Sequence, residues 1–308
     1  MLELRQTALE ILVITDPKTK VSRVQKLFDD YDQQHIALDV SAALNSKDFM
    51  LPGRPQKPEL VPPLTVPKRK MDTVEGRLSL LHSLAHIEFN AMNLALDAIW
   101  RFADMPRQYY ADWLKVAKEE AYHFSLIEDH LQSVGVAYGD FPAHNSLWEM
   151  VERTADAVIA RMALVPRTME ARGLDAVPMI RNRFMQIKDV RAVEILEIIL
   201  KDEIGHVLIG NKWFNFLCEQ EGLSAISSYK ELARKYRADD IDVLKSGESR
   251  VAEELIEIND KKIWFETYKS PVMIDGQIVG TVGFARDINA RKQAEMFEQF
   301  RSRILEML

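Results

Sequence analysis

Apolar side chains recur every three or four positions along most of this chain, a spacing that predicts amphipathic helices. Residues 1–50 follow this pattern and predict an N-terminal helical extension. Its apolar positions are Leu4, Ala8, Leu12, Val24, Leu27, Phe28 and Tyr31. A strap at 51–70 comes next, in which six prolines fall within seventeen residues. This proline density excludes a helix and favours extended, polyproline-like backbone.

Residues 71–222 carry long apolar stripes and almost no strand signal, which predicts a four-helix bundle. The predicted helices are 72–103, 108–134, 146–172 and 189–221, with a short extra helix at 178–188. Asp72 and Glu75 resemble a capping box at the start of the first helix. Met105-Pro106 and Gly135 separate the next helices, and Gly173 and Pro178 are expected to end the third.

The pattern changes to alternation near the C-terminus, in VAEELIEIND, KKIWFETYKSPV and QIVGTVGFARDI. With turn signals at Asn259-Asp260 and Asp275-Gly276, it predicts three antiparallel strands. The fold class is therefore mainly α: a helix bundle with a helical N-terminal extension and a small antiparallel β appendage. The segments after the bundle are a linker helix at 223–238, a β module at 239–295 and a final helix at 296–308.

Composition narrows the class of protein further. The chain has 308 residues, of which 47% are hydrophobic and 28% charged, which excludes collagen-like and wholly disordered chains. No apolar stretch is long enough to cross a membrane, and the N-terminus does not resemble a signal peptide. A single cysteine, Cys218, suits a reducing cytoplasm. The net charge of −7 disfavours general nucleic-acid binding.

Two glutamates stand three residues before a histidine, in Glu120-x-x-His123 and Glu203-x-x-His206. On a helix this spacing places both side chains on one face. The two hexapeptides share the form K-[E/D]-E-x-x-H, a faint internal repeat. Apolar neighbours flank both glutamates, so we expect the carboxylates to face into the bundle.

Two more glutamates lie on apolar stripes of the other predicted helices, Glu88 and Glu170. A lone ionised carboxylate in an apolar interior costs several kcal/mol, so it must be protonated, paired or bound to a metal. Four Glu and two His converging from four helices suit a pair of iron or manganese ions. The set matches the ligands of ferritin-like di-iron bundles, one Glu from each of two helices and Glu-x-x-His from each of the others.

With these motifs the chain resembles a ferritin-like domain-of-unknown-function family whose relatives include a di-iron tRNA hydroxylase. The resemblance covers residues 1–222 and is carried by LAHIEFNAMNLALD, EEAYHF, VPRTMEARGLDA and KDEIGHVLIGNKWF. It implies two bound iron ions, with manganese as the alternative, no organic cofactor, and oxygen chemistry on an unnamed substrate. The positions that match the family's metal ligands are Glu88, Glu120, His123, Glu170, Glu203 and His206.

The resemblance also bears on the third helix. In a pseudo-twofold di-iron site the second and third ligand helices run the same way, linked by a crossover. Residues 135–145 span at most ~36–40 Å. In one unbroken helix from residue 146, Glu170 would lie ~36 Å from the helix start. The crossover through residues 135–145 would then have to carry the chain back over too long a distance. We therefore expect a break or kink before Glu170, with Pro166 as a candidate.

WFETYKSPVMIDGQIVGTVGFARDINARKQAE resembles the closing half of a PAS sensory domain. The Asp287-Ile288 ending followed by Arg291-Lys292-Gln293 is typical, with Asn289 where Thr is usual. The resemblance starts near Asp239 and lacks the first two strands and the helices that form a ligand pocket. A bound haem, flavin or metabolite therefore does not follow from it.

The leading functional hypothesis is a non-haem di-iron oxygenase or oxidase of the cytoplasm. Two alternatives remain open: an iron-binding or iron-oxidising protein without an organic substrate, and a signalling protein that uses the PAS remnant. The substrate class is left as a small molecule or a tRNA-like nucleic acid, the electron donor is unidentified, no membrane partner is expected, and a homodimer is left open.

Several nearby residues have two interpretations. The acidic residues Glu119 and Asp202 each lie one turn before a histidine of the set and either fix that ring or are solvated charges. The basic segment 161–191 either lines a substrate entrance or is a solvated helix face. Tyr122, His82 and His86 are interpreted as packing or surface residues rather than as parts of the site.

Overall fold

The computed structural model describes residues 3–45, 50–67, 69–233, 235, 250–258, 261–274, 277–288 and 291–292. The chain divides into two compact units. The first comprises residues 1–61 and 66–233, and the second comprises residues 62–65 and 234–308. The described chain is mainly helical, and the first unit is a helical bundle.

The first unit contains the helices α1 to α8. They are α1 Leu4–Leu12, α2 Pro17–Asp32, α3 Val74–Arg101, α4 Arg107–Ser133, α5 Ser146–Arg153, α6 Val158–Leu164, α7 Ala171–Gln186 and α8 Val190–Gln220. A π-helical segment, Val165–Glu170, joins α6 to α7. Residues 225–233 are helical as well. Helix α4 packs against α2, α3 and α8, and α8 also packs against α6, α7 and the π-helical segment.

The start of α3 differs from the predicted capping box. Thr73, not Asp72, is the N-cap, and its side-chain oxygen accepts a hydrogen bond from the backbone N–H of Gly76. Glu75 turns outward to form an ion pair with Arg69 at 2.8 Å. The threonine hydroxyl sits three residues before the N–H it caps, which is the usual capping distance.

The predicted unbroken helix 146–172 is wrong, and the expected interruption before Glu170 is confirmed. The chain leaves the helix after Arg153, resumes at Val158, and passes through the π-helical segment that contains Pro166. Proline removes one backbone donor from a helix, which favours such an irregular turn.

Gly173 and Pro178 do not end the third helix, contrary to the expectation from sequence. Both lie inside α7, and the predicted short helix 178–188 is the second half of this longer one. Helix α7 begins at Ala171, so Pro178 lies inside it, past the first turn, and the helix continues although proline lacks the backbone N–H. The long α8 begins at Val190, with the Asp189 side chain accepting from the N–H of Ala192.

The N-terminal extension contains α1 and α2, and the described residues of the strap form no α-helix or strand, only a short 3₁₀ helix at Pro63–Thr65. A buried lysine, Lys20 of α2, binds three elements together. Its ammonium donates to the carbonyls of Leu12 at 3.0 Å and Gly53 at 2.7 Å, and to Asn93 Oδ1 at 2.6 Å. Gly53 tolerates no side chain, because a Cβ there would lie 2.0 Å from the Val13 carbonyl oxygen.

A buried ion pair connects α3 to α6, which is part of the interrupted third helix of the bundle. Asp97 Oδ2 accepts from Arg161 at 2.6 Å, and both side chains are fully buried. Arg161 also donates to the Val151 carbonyl at 2.6 Å and to the Thr154 hydroxyl at 2.8 Å. Removing one member of such a pair leaves an uncompensated charge, at a cost of roughly 3–5 kcal/mol.

The second unit contains a three-stranded antiparallel sheet in the order β1-β2-β3. Its strands are β1 Arg250–Ile258, β2 Lys261–Ile274 and β3 Gln277–Asp287. Leu255 pairs with Trp264, and Phe265 with Asp287, with an irregularity between Val272 and Met273. The turn signals, the start of the PAS resemblance near Asp239 and the final helix 296–308 lie outside the described residues.

A search of the described helices finds none long and apolar enough to cross a membrane. Cys218 is a free, buried thiol near the end of α8.

Candidate metal centre

Six acidic and imidazole side chains meet inside the bundle, all no more than 9% exposed. They come from α3 (Glu88), α4 (Glu120 and His123), the end of the π-helical segment (Glu170) and α8 (Glu203 and His206). The three-residue spacing places Glu and His on one helix face, and buried residues such as Trp113, Phe124 and Leu196 turn that face inward.

Glu120 lies between the two histidine rings. One of its oxygens is 3.5 Å from His123 Nδ1, and the other is 3.0 Å from His206 Nδ1. Glu88 is 3.2 Å from His123 Nδ1, and Glu203 is 3.7 Å from His206 Nδ1. The ring centroids are 6.0 Å apart. Glu120 therefore has one oxygen toward each histidine ring.

Four of these residues have ligand atoms close enough to share one ion. Glu88, Glu120, His123 and Glu203 each offer an atom, and those atoms lie within 4.8 Å of one another. The described chain therefore contains a buried Glu and His cluster that could hold a metal ion. Glu170 and His206 are outside this foursome but border it, because Glu170 faces the charges of Glu203 and Glu120.

Each histidine contacts, through its Nε2 atom, an acidic residue of the helix that carries the other Glu-x-x-His motif. His123 Nε2 is 3.2 Å from Asp202 of α8, and His206 Nε2 is 2.9 Å from Glu119 of α4. An Nε2–H group on each ring can donate to its carboxylate, which would leave Nδ1 available to a cation in place of a proton. The sequence-based interpretation paired each acid with the histidine of its own helix, and the structure corrects this to a crossed arrangement.

The charges of the cluster perturb its protonation. Burial, together with the neighbouring Glu120 charge, raises the pKa of Glu88 and of Glu203 above the usual range, and burial with the charge of Glu203 raises the pKa of Glu170. Burial alone would lower the pKa of His123 and of His206, but the adjoining carboxylates outweigh it and raise both. Both histidine shifts reflect an excess of carboxylate charge at the cluster, which protons on the two rings partly compensate.

Several buried atoms of the cluster have no hydrogen-bond partner. Both carboxylate oxygens of Glu170 are in this position. The oxygens of Glu120, Oε2 of Glu203 and Nδ1 of His206 lie within ion-pair distance of one another or of His123 but form no aligned hydrogen bond. An unpaired buried carboxylate oxygen is costly, and a cation would satisfy it. Carboxylate oxygens combined with imidazole nitrogens suit iron or manganese, so the residues present fit such a group.

The structure brings all six sequence-predicted residues into one cluster, and their role as ligands stays a prediction. The basic segment behaves otherwise. Arg161 is buried against Asp97, and Arg167 lies over two aromatic rings. Arg181 and Arg191 form ion pairs with Glu197 and Glu194. Arg161 is therefore unavailable to a substrate, and whether the exposed basic residues of this segment line an entrance stays a prediction.

The remaining candidates lie outside the cluster. Tyr122 is 46% exposed. His86 Nδ1 accepts from the Tyr138 hydroxyl at 2.8 Å, and His82 Nε2 accepts from the backbone N–H of Gly139 at 2.7 Å. Both histidines therefore fasten the loop after α4 to α3, in agreement with their interpretation as packing residues.

Sequence reasoning missed the residues that hold the π-helical segment. Tyr229, from helix 225–233, shares a hydrogen bond of 3.0 Å with Thr168, and Arg167 lies between Tyr229 and Phe214. No periodicity links residues 60 positions apart. Only Gly210, a glycine inside a long helix, hinted at a close approach there.

Comparison with known proteins identifies a family for this chain. Residues 13–253 match the family described as "Protein of unknown function (DUF455)". The chain belongs to this family. Members are therefore expected to share the bundle, since the matched range contains the strap, the six clustered residues and helix 225–233 and stops within β1.

A bacterial protein is similar to most of this chain. An uncharacterized protein of Haemophilus influenzae is 47% identical to this family member over 235 residues, which cover 73% of this chain and 81% of that protein. No solved structure matches the chain.

Proposed function

We propose that this DUF455 protein is a ferritin-like, non-haem di-iron carboxylate protein that acts as an O₂-activating oxidoreductase. The observation that carries the proposal is the crossed pair of Glu-x-x-His motifs. Both Nδ1 atoms face one shared carboxylate, Glu120, and an acid of the opposite helix orients each ring. An arrangement of this kind is built around cations rather than around water.

The proposed ligands are the six clustered residues. Glu120 would contribute to holding both ions, His123 and Glu88 would hold one, and His206 and Glu203 would hold the other, with Glu170 completing the set. When bound, iron would supply one-electron redox chemistry and a place for O₂; manganese is the alternative metal. The chain contributes the orientation of the ligands.

The burial of the cluster itself supports exclusion of water from it. All six side chains are no more than 9% exposed. A dry surrounding strengthens electrostatic interactions and protects reactive species from side reactions. The substrate remains a small molecule or a tRNA-like molecule in this proposal.

Anaerobic reconstitution with Fe(II) tests the proposal. We expect two irons per chain in the wild type and one or none in a Glu203→Ala, His206→Ala variant. The matched control is Glu219→Gln, which removes an exposed acid from the same helix and should keep both irons. A folded wild-type chain that binds no iron would contradict the proposal.

Admission of O₂ then separates an enzyme from an iron-binding protein. Uptake of O₂ that stops once the bound iron is oxidised supports the iron-oxidising alternative. Continued uptake that depends on added reductant and a candidate substrate supports the oxidoreductase.

We further propose that the C-terminal sheet is the closing half of a PAS-like fold, on the resemblance of residues 239–295. Its consecutive antiparallel order supports this proposal. Deletion of residues 239–308 tests a signalling role. Unchanged metal binding and O₂ uptake in the truncated chain would argue against one.

A further inference from the structure

Glu170 reaches the cluster from irregular backbone, unlike the other five residues. The segment Val165–Glu170 is π-helical, and Pro166 within it has no backbone N–H to donate. The Thr168 hydroxyl instead donates to the Ala163 carbonyl five residues earlier, at 2.7 Å. A π-helical turn is rarely stable on its own, so the position of Glu170 depends on contacts from other elements.

Helix α8 supplies the first of these contacts. Gly210 faces Pro166 so closely that a Cβ at this position would lie 2.6 Å from both Cβ and Cγ of the proline. Glycine is therefore required for the segment to lie against α8. The contact fixes the depth of the segment in the bundle, but it leaves its rotation about its own axis open.

Helix 225–233 supplies the contacts that fix this rotation. The hydroxyl groups of Tyr229 and Thr168 are 3.0 Å apart. The Arg167 guanidinium lies 4.9 Å from the centre of the Tyr229 ring and 4.8 Å from that of Phe214, which places a cation between two aromatic faces. Two successive residues of the π-helical segment are thus held by one tyrosine.

We propose that Tyr229 is a positioning residue for the metal centre. It acts through Thr168 and Arg167 to orient Glu170, and it touches neither metal nor substrate itself. This inference rests on the proposed function. It extends the functional unit beyond the predicted bundle, 71–222, to the helix that follows it.

Metal affinity of the full chain provides the test, with Co(II) added anaerobically as a spectroscopic probe. Tyr229→Phe removes the hydroxyl and keeps the ring, so we expect a roughly fivefold to tenfold loss of affinity for one of two Co(II) ions, from the loss of one hydrogen bond. The visible Co(II) absorption should change for that ion alone. Tyr31→Phe, a distant tyrosine of α2, is the control and should bind as the wild type does.

A second background separates positioning from a general loss of stability. In a Glu170→Ala chain the ligand is gone, so adding Tyr229→Phe should change Co(II) affinity no further. Thr168→Val should reproduce Tyr229→Phe, and the two together should be no worse than either alone. Equal effects of Tyr229→Phe with and without Glu170 would overturn the inference.

The outcomes also distinguish the two proposals. A wild-type chain that binds no Co(II) and no Fe(II) overturns the metal centre and the positioning role together. A wild-type chain that binds two ions with a Tyr229→Phe variant that binds them equally well overturns the positioning role alone.

Discussion

A single backbone contact determines the protonation state of His82. Its Nε2 accepts from the Gly139 N–H at 2.7 Å, so that nitrogen must carry no proton in the folded chain. Burial lowers the pKa of His82 to about 4, against an ordinary value of 6.5. Between these two pH values the unfolded chain binds a proton that the folded chain does not, so the contribution of this histidine to stability falls on acidification.

We expect this effect to appear in unfolding experiments between pH 6.5 and 4.5. A His82→Gln chain should lose less stability on acidification than the wild type, by up to about 1.4 kcal/mol per pH unit. Urea denaturation at several pH values measures the difference. The exposed residue His35 provides the control, because His35→Gln should keep the wild-type dependence. Parallel curves for wild type and His82→Gln would refute the explanation.

At the scale of elements, two glycines of α8 differ in the space available for a side chain. Gly210 faces Pro166 at a distance that leaves no room for a methyl group, whereas a Cβ at Gly205 would meet nothing within 4 Å. The same substitution five residues apart therefore tests packing on one side and helix propensity on the other.

Gly210→Ala should destabilise the chain by about 1–3 kcal/mol, because overpacking forces the π-helical segment away from α8. Gly205→Ala should be neutral or stabilise by up to about 1 kcal/mol, since alanine is the better helix former. Thermal unfolding of both variants checks the prediction. Equal effects at the two positions would show that the close approach to Pro166 is unimportant.

Most helices could be predicted from periodicity, because α4 and α8 each bury one regular stripe, and α3 is long and buried on all sides from Glu88 to Trp100. The Glu-x-x-His pairs and Glu88 could be found for the same reason. The interruptions of the third bundle helix, α5 to α7, could not be predicted, because they depend on tertiary packing. Arg161 of α6, for example, forms an ion pair with Asp97 of α3. Pro178 suggested a break, but α7 continues through it to Gln186, although proline inside a helix removes a backbone hydrogen bond.

The candidate site shows the same division. Residues on one helix face follow from spacing, whereas the crossed acids do not, because Glu119 and His206 are brought together only by the packing of α4 against α8. The contribution of Tyr229 is also tertiary. Sequence predicted the acids as neighbours of the histidines on their own helices, which is the nearest interpretation that local spacing permits.

At the scale of the first unit, Lys20 connects the N-terminal extension, the strap and the bundle. Three acceptors from three different segments surround its ammonium group, which is the number of protons it can donate. Burial nevertheless lowers the pKa of Lys20 to about 7.

Lys20→Met should destabilise the first unit by about 3 kcal/mol, since each buried acceptor left unmet costs roughly 1–3 kcal/mol. The exposed Lys18, two residues earlier, serves as the matched control, and Lys18→Met should lie within ~0.5 kcal/mol of wild type. Chemical denaturation monitored by tryptophan fluorescence measures both. A Lys20→Met chain as stable as Lys18→Met would mean that the extension is held by its apolar contacts alone.

The crossed acids have a consequence for how this family can vary. Each histidine depends on a carboxylate 79 or 87 residues away along the chain, so neither helix can change its acid without affecting its neighbour's imidazole. Among relatives, position 119 should change together with position 206, and position 202 with position 123. The two halves of the internal repeat should therefore vary together among relatives, as one coupled pair.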